Sequence, residues 1–148
     1  YAISVPTSGT GVNGTLRPQY VYCKKLVKNE TGERPLYTGY HSTVSAFYYG
    51  TLIVGDQFDG NFDGYSALDT NIPLSSLKEP TAFDSPTTFA VASVIPGWTA
   101  ALQLMRAGER WMLYIPWQSA YGSSGNNDGT IPGYTALTFD LLLERIVE

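Results

Sequence analysis

Val94-Ile-Pro-Gly-Trp-Thr-Ala-Ala-Leu-Gln-Leu-Met105 is the stretch around which the rest of the chain is organised. It follows a strand-like run and predicts a short helix, because Pro96 stands where the first turn of a helix tolerates proline. Trp98, Leu102 and Met105 recur at i, i+4 and i+7, which puts them on one helical face.

The end of this helix is also marked in the sequence. We expect Arg106 in its last turn and Gly108 at the usual stop position. A helix this short is not stable alone, so a sheet must cover its apolar face. Trp98 would lie at the N-terminal end of the helix, where a large flat ring can form the floor of a pocket.

Six strand-like segments surround the helix, and an irregular stretch, residues 60–86, interrupts them with a possible helical turn near Leu74–Lys78. Separate strands with one helix indicate an α+β domain in which an antiparallel sheet packs one face on the helix. The predicted strands are Tyr20–Val27, Thr43–Leu52, Gln57–Asp59, Thr87–Ala92, Arg110–Ile115 and Thr135–Val147.

The composition restricts the class of protein. A chain of 148 residues, 43% hydrophobic and 14% aromatic, is globular and long enough for one domain with a sizeable core. The net charge is −4 and the basic residues do not cluster beyond Lys24-Lys25, so a nucleic-acid partner is not expected. No apolar run is long enough to span a bilayer, and Cys23 is the single cysteine.

The domain boundary is predicted from local composition. Residues 1–19 are rich in Ser, Thr, Gly and Pro and are expected to form an arm or linker. Residues 20–148 form the folded domain, with an insertion at about 60–86.

Several other chemistries lack the residues they need. A Ser-His-Asp triad would have to use His41, the only histidine, which is predicted to be solvated in a polar connection. A zinc site would need several Cys or His ligands, so no metal or cofactor is expected. Asp59–Gly64 matches the first half of a calcium loop, but Thr70 stands where the pattern requires Glu, which leaves calcium as a minor alternative.

Four blocks of the chain, in this order, resemble the FKBP-type peptidyl-prolyl cis-trans isomerases. The resemblance covers roughly Tyr20 to Val147 and is weak between Gly60 and Pro86. The blocks are Phe47–Asp59, Val94–Gly108, Trp111–Pro116 with Ala120-Tyr-Gly122, and Ile131-Pro132 with Leu137-Thr-Phe-Asp-Leu141.

The resemblance implies a half-barrel sheet, curved around the short helix, with a pocket between helix, sheet and the loop after residue 116. It also implies rotation about Xaa-Pro bonds without a cofactor. The expected catalytic residues are Tyr48, Phe58, Asp59, Ile95, Trp98, Tyr121 and Phe139, and the expected substrate-binding residues are Phe89, Val94 and Ile131.

The roles carried over from the family are as follows. Trp98 would lie beneath the proline ring, while the Ile95 N–H and the Tyr121 hydroxyl would each bond a substrate carbonyl. Asp59 would face the twisting carbonyl and hydrogen-bond to Tyr48.

The sequence departs from the family pattern at three places. Thr87 stands where a second aromatic residue usually precedes Phe89, Lys78 is the only basic residue available where an Arg usually ties to Asp59, and Asn126-Asn127 stand near a frequent His. These departures leave a second hypothesis open, a catalytically weak FKBP-fold module that binds partners or acts as a chaperone through the insertion.

The expected partners and location also follow from the resemblance. The partners are proline-containing polypeptides, and macrolide inhibitors are possible ligands. An exported protein of the periplasm or cell envelope, assisting folding, is expected by analogy with family members that carry such an arm after a signal or lipid anchor. A larger dimeric chaperone, of which this chain would be the catalytic part, is a further possibility.

Overall fold

The computed structural model describes residues 1–5, 19–34 and 42–147. Within these ranges the chain forms seven strands and one α-helix. The elements are β1 (Ala2–Val5), β2 (Gln19–Val27), β3 (Thr43–Leu52), β4 (Gln57–Gly60), β5 (Thr87–Ala90), α1 (Pro96–Leu102), β6 (Arg110–Ile115) and β7 (Leu137–Ile146).

All strands of the described part join one antiparallel sheet in the order β1-β2-β6-β7-β3-β4. Strand β5 also pairs with β3, on residues Thr43–Ala46, while β4 pairs with Tyr49–Thr51. The predicted α+β class, an antiparallel sheet around one short helix, is confirmed.

Helix α1 lies against one face of the sheet, called here the inner face. Alternate residues of β6, namely Trp111, Leu113 and Ile115, join the same buried cluster as Trp98 and Leu102 of the helix. A strand directs every second side chain to one face, so these three residues bury together. The main core therefore lies between α1 and the inner face.

The opposite, outer face is covered in part by the segment between β4 and β5. Tyr65 and Ile72 of this segment pack with Leu26 and Met112 of the sheet in a second buried cluster. The segment itself contains no helix. Near Leu74–Lys78, where a helical turn is predicted, it makes a single turn in which the Ser76 N–H donates to the Pro73 carbonyl at 3.1 Å. The segment between β4 and β5 thus covers part of the outer face of the sheet.

A buried ion pair attaches this segment to the sheet. Arg110 donates from Nε and Nη2 to the two carboxylate oxygens of Asp140, at 2.8 and 2.7 Å, and the side chains are 1% and 0% exposed. The guanidinium also donates to the Lys78 carbonyl, and Asp140 accepts the Tyr65 N–H at 3.0 Å. The pair therefore joins two central strands to Tyr65 and Lys78 of the covering segment.

The helix ends earlier than predicted. It stops at Leu102, and Met105 and Arg106 lie in the irregular connection that follows, although Met105 is still fully buried. The carboxylate of Glu109 accepts the Arg106 N–H at 2.8 Å, which holds the chain in a tight connection to β6 instead of another helical turn.

The first residues of the chain belong to the sheet. Within the predicted arm, Ala2–Val5 pairs with β2 as a strand, and Ile3 is 6% exposed in the main core. His41, predicted to be solvated, lies outside the described residues. No helix in the part of the chain that the structure describes has the length and apolar character needed to cross a membrane.

Candidate functional site

A cavity of about 300 Å³ opens between the N-terminal end of α1, the inner face of the sheet and the loop after β6. It contains all of the predicted site residues except Ile131, together with Ser93. The lining residues are Tyr48, Phe58, Asp59, Phe89, Ser93, Val94, Ile95, Trp98, Tyr121 and Phe139.

The indole of Trp98 is the centre of the aromatic lining and is 3% exposed. Tyr48, Phe89 and Phe139 surround it with ring centroids at 5.2, 5.0 and 5.2 Å and interplanar angles between 70° and 84°. Edge-to-face contacts of this kind stabilise aromatic pairs beyond the area they bury. The floor of the cavity is therefore rigid and apolar.

The start of α1 is held in place from two sides. The Ile95 carbonyl accepts the N–H groups of Trp98 and Thr99 at 3.0 and 3.1 Å, and the Thr99 hydroxyl donates to the Val91 carbonyl at 2.6 Å. Gly97 lets the helix approach the sheet, since a Cβ there would lie 2.7 Å from Cγ2 of Ile115. These contacts set the height of the Trp98 ring under the cavity.

Asp59 is the one carboxylate of the lining, and it faces two phenols. Burial, a hydrogen bond to Asp59 and its negative charge together raise the pKa of Tyr48 far above its ordinary value. Burial and the charges of Asp59 and Asp128 raise the pKa of Tyr121. The phenols are therefore protonated at neutral pH, and the cavity combines apolar walls with a few hydrogen-bonding groups.

Tyr121 is presented by a turn that follows β6. The N–H groups of Ala120 and Gly122, on either side of it, both donate to the Trp117 carbonyl, at 3.1 and 2.9 Å. The Trp117 ring in turn contacts the Tyr134 ring at 4.8 Å. The two ends of the loop are thereby held together beside the cavity.

Ile131 is not brought to the cavity. Its N–H donates to the side-chain oxygen of Asn126 at 2.8 Å, and its carbonyl accepts the Asn126 N–H at 3.0 Å. This closed bend leaves Ile131 1% exposed within the main core. Ile131 is therefore not among the residues that line the cavity. Its assignment to substrate binding, taken from the family resemblance, stays a prediction.

Ser93 also lines the cavity but is not among the residues that the sequence predicts for the site. It ends a 3₁₀ turn, Val91–Ser93, that follows β5, where a continuous strand to Ala92 had been predicted. The β-branched and aromatic content of Thr87–Ala92 gave no sign of this turn. The only available signal was its position directly before Val94.

The departures from the family pattern have structural counterparts. Lys78 donates to the Gly64 carbonyl at 3.3 Å and lies 5.3 Å from the Tyr65 ring centre, so it is engaged outside the cavity lining. Thr87 is exposed at the first position of β5.

Across residues 1–5, 19–34 and 42–147, no group of three or more His, Cys, Asp or Glu side chains is arranged to hold a metal ion.

A family model described as FKBP-type peptidyl-prolyl cis-trans isomerase matches residues 38–144. A "Macrophage infectivity potentiator" of Trypanosoma cruzi is 52% identical over 76 residues, covering 47% of this chain and 38% of that protein. An "Outer membrane protein MIP" of Legionella longbeachae is 40% identical over 98 residues, covering 66% of this chain and 33% of that protein. The matched part of the chain thus spans about a third of the length of these relatives, 38% and 33%.

A solved structure gives the same fold over nearly the whole chain. The crystal structure of a peptidyl-prolyl cis-trans isomerase from Pseudomonas syringae pv. tomato superimposes with a TM-score of 0.64. It is 29% identical, and the match covers 97% of this chain and 83% of that chain.

Proposed function

The chain belongs to the FKBP-type peptidyl-prolyl cis-trans isomerase family, and we propose that it accelerates rotation about Xaa-Pro peptide bonds. The observation that carries this proposal is the apolar cavity floored by Trp98, with Asp59 and two protonated phenols at its wall. Such a cavity matches a reaction in which a bond rotates and none is broken.

The physical task is to lower a rotation barrier of about 18–20 kcal/mol. Twisting the amide removes its resonance and reduces its polarity, so a water-excluding apolar site disfavours the planar form relative to the twisted one. The rings of Trp98, Phe139 and Phe58 provide that surface, and Phe58 contacts Phe139 at a centroid distance of 5.5 Å. Neither a nucleophile nor a cofactor is needed for this step.

The polar groups then orient the substrate. The proline ring lies over the Trp98 indole, and the Ile95 N–H, directly before the helix, donates to a carbonyl on one side of it. The Tyr121 hydroxyl donates to a second carbonyl. The Asp59 carboxylate, hydrogen-bonded by Tyr48, faces the positive carbon end of the twisting carbonyl dipole.

The substrate class is proline-containing polypeptide, and macrolide inhibitors that occupy the same apolar cavity are a ligand class to test. We place the protein among exported proteins of the periplasm or cell envelope. Support for this location comes from the name of the Legionella longbeachae relative, an outer membrane protein.

A coupled assay on a Leu-Pro peptide tests the activity. Trp98→Ala removes the floor and should lower kcat/KM about tenfold or more, and Tyr48→Phe and Asp59→Asn should each lower it as well. Asp63→Asn is the matched control, because Asp63 is exposed and outside the cavity lining. Equal rates for the parent and Trp98→Ala, with both folded, would contradict the assignment.

A binding module without turnover is the second candidate. Exposed Thr87, in place of the aromatic residue usual before Phe89, favours it because this part of the wall has lost apolar surface. Under that hypothesis a Leu-Pro peptide would shift the indole resonance of Trp98 while its isomerisation rate stayed at the uncatalysed value.

A further inference from the structure

Asn61 lies at a break in the sheet, directly beside the cavity strands. Strand β4 pairs with β3 up to Gly60, opposite Tyr49, and β5 begins with Thr87, opposite Ala46. Between these two points the chain leaves the edge of β3 and crosses the outer face. The edge of β3 at Tyr48 therefore has no regular strand partner there.

Asn61 fills that break with both its backbone and its side chain. Its N–H donates to the Tyr48 carbonyl at 2.9 Å, and its side-chain oxygen accepts the Tyr48 N–H at 2.8 Å. Its side-chain nitrogen donates to the Ala46 carbonyl and to the Thr87 hydroxyl, both at 3.0 Å. The amide thus replaces the missing partner of the sheet.

These bonds connect the three strands that carry one wall of the cavity. Tyr48 is bonded directly, Asp59 is two residues before Asn61 on β4, and Phe89 is two residues after Thr87 on β5. We propose that Asn61 is a positioning residue for this wall, which sets the place of the Tyr48 phenol relative to Asp59 and of the Phe89 ring relative to Trp98.

The same contacts give a reason for two features of the sequence. Thr87 supplies a hydroxyl close to the backbone, which a phenylalanine would lack, so Asn61 and Thr87 act together as one connection between β4 and β5. Both polar groups of the Asn61 side chain are engaged in the sheet, although this residue is part of the half-matched calcium pattern Asp59–Gly64. A substitution that removes either polar group would therefore break the same side-chain hydrogen bond.

The inference rests on the proposed activity, so its test reads both catalysis and geometry. The variants are Asn61→Ala, Asn61→Asp, which keeps the acceptor but loses both donors, and Thr87→Val, which removes only the hydroxyl. Asn71→Ala, at an exposed position of the same segment, is the matched control. For each we would measure kcat and KM on a Leu-Pro peptide, urea unfolding, and the resonances of the Tyr48 ring and the Trp98 indole.

We expect kcat/KM of the folded protein to fall about tenfold in Asn61→Ala, because small displacements of an active site are costly. Asn61→Asp should also fall, because a carboxylate oxygen would lie where the amide nitrogen now donates to the Ala46 carbonyl. Thr87→Val should fall less than either, and Asn71→Ala should equal the parent. The Tyr48 ring and Trp98 indole resonances should shift in the same order. The resonance shifts test the positioning role even if the parent protein shows no turnover. If Asn61→Ala does not fold, Thr87→Val still tests it.

One result would contradict the positioning role of Asn61. If Asn61→Asp and Thr87→Val lower only the free energy of unfolding, with unchanged kcat, KM and cavity resonances, Asn61 stabilises the sheet without positioning the wall.

Discussion

Replacing Arg110 by Met should destabilise the protein strongly without changing the chemistry of the cavity. The guanidinium is 1% exposed and makes two charge-assisted hydrogen bonds to Asp140 and one to the Lys78 carbonyl. It also lies 5.3 and 5.4 Å from the ring centres of Phe62 and Tyr65. All of these contacts are on the outer face of the sheet, away from the cavity.

The expected loss is set by the charge left behind. Arg110→Met keeps most of the side-chain volume but leaves the Asp140 carboxylate, 0% exposed, without its cation. Removing one partner of a buried pair costs about 3–5 kcal/mol. Because a domain of this size has about 5–15 kcal/mol of stability in total, the change should be large and easily measured.

Two further variants separate the causes. Arg110→Lys keeps the charge but not the two-pronged geometry, so its loss should be smaller, about 1.5–3 kcal/mol. The double variant Arg110→Met/Asp140→Leu contains no buried unpaired charge. It should be less destabilised than the sum of the single losses by about 2–3 kcal/mol.

Urea unfolding followed by tryptophan fluorescence gives these free energies. Hydrogen exchange within residues 61–78 should rise in Arg110→Met, because the segment loses its attachment to β6. The folded fraction should keep the parent kcat/KM. A loss below about 1 kcal/mol, or additive single and double variants, would refute the reasoning that the pair holds the outer cover.

Three smaller predictions follow from single contacts. Gly97→Ala should lower the free energy of unfolding by about 1–3 kcal/mol, measured in urea, because the new methyl group would meet Ile115 at 2.7 Å. Burial raises the pKa of Cys23 to about 11, so a disulfide reagent at neutral pH should label it only after denaturation. Because the pKa values of Tyr48 and Tyr121 are raised above 10.0, the folded state keeps protons that the unfolded chain loses. The contribution of these two phenols to stability should therefore be constant below about pH 10 and fall above it, so the loss of stability at high pH should be less steep in Tyr48→Phe.

The inner half of the fold could be predicted from the sequence because its patterns are regular. Strand β6 was predicted with its observed bounds, since Trp111, Leu113 and Ile115 alternate with residues of the other face. Pro96 and the spacing of Trp98 and Leu102 located the helix in the same way. The cavity residues, in contrast, were identified through the family resemblance, because a single buried aromatic residue does not differ from ordinary core.

The outer face could not be predicted, and the reason is physical. Tyr65 and Ile72 are buried from an irregular segment, where side-chain orientation follows no period. Arg110 and Asp140 are charged residues thirty positions apart, so nothing in the sequence shows that they meet in the interior. The role of Asn61 depends on the same long-range return of the chain to the edge of β3.

The central claim, that the Trp98-floored cavity isomerises prolyl bonds, is tested most directly by exchange NMR of a short Leu-Pro peptide. Cis/trans interconversion of the free peptide takes tens to hundreds of seconds. The account predicts that catalytic amounts of the parent protein accelerate this exchange and that Trp98→Ala largely abolishes the acceleration. Exchange at the uncatalysed rate in the presence of the folded parent protein would contradict it.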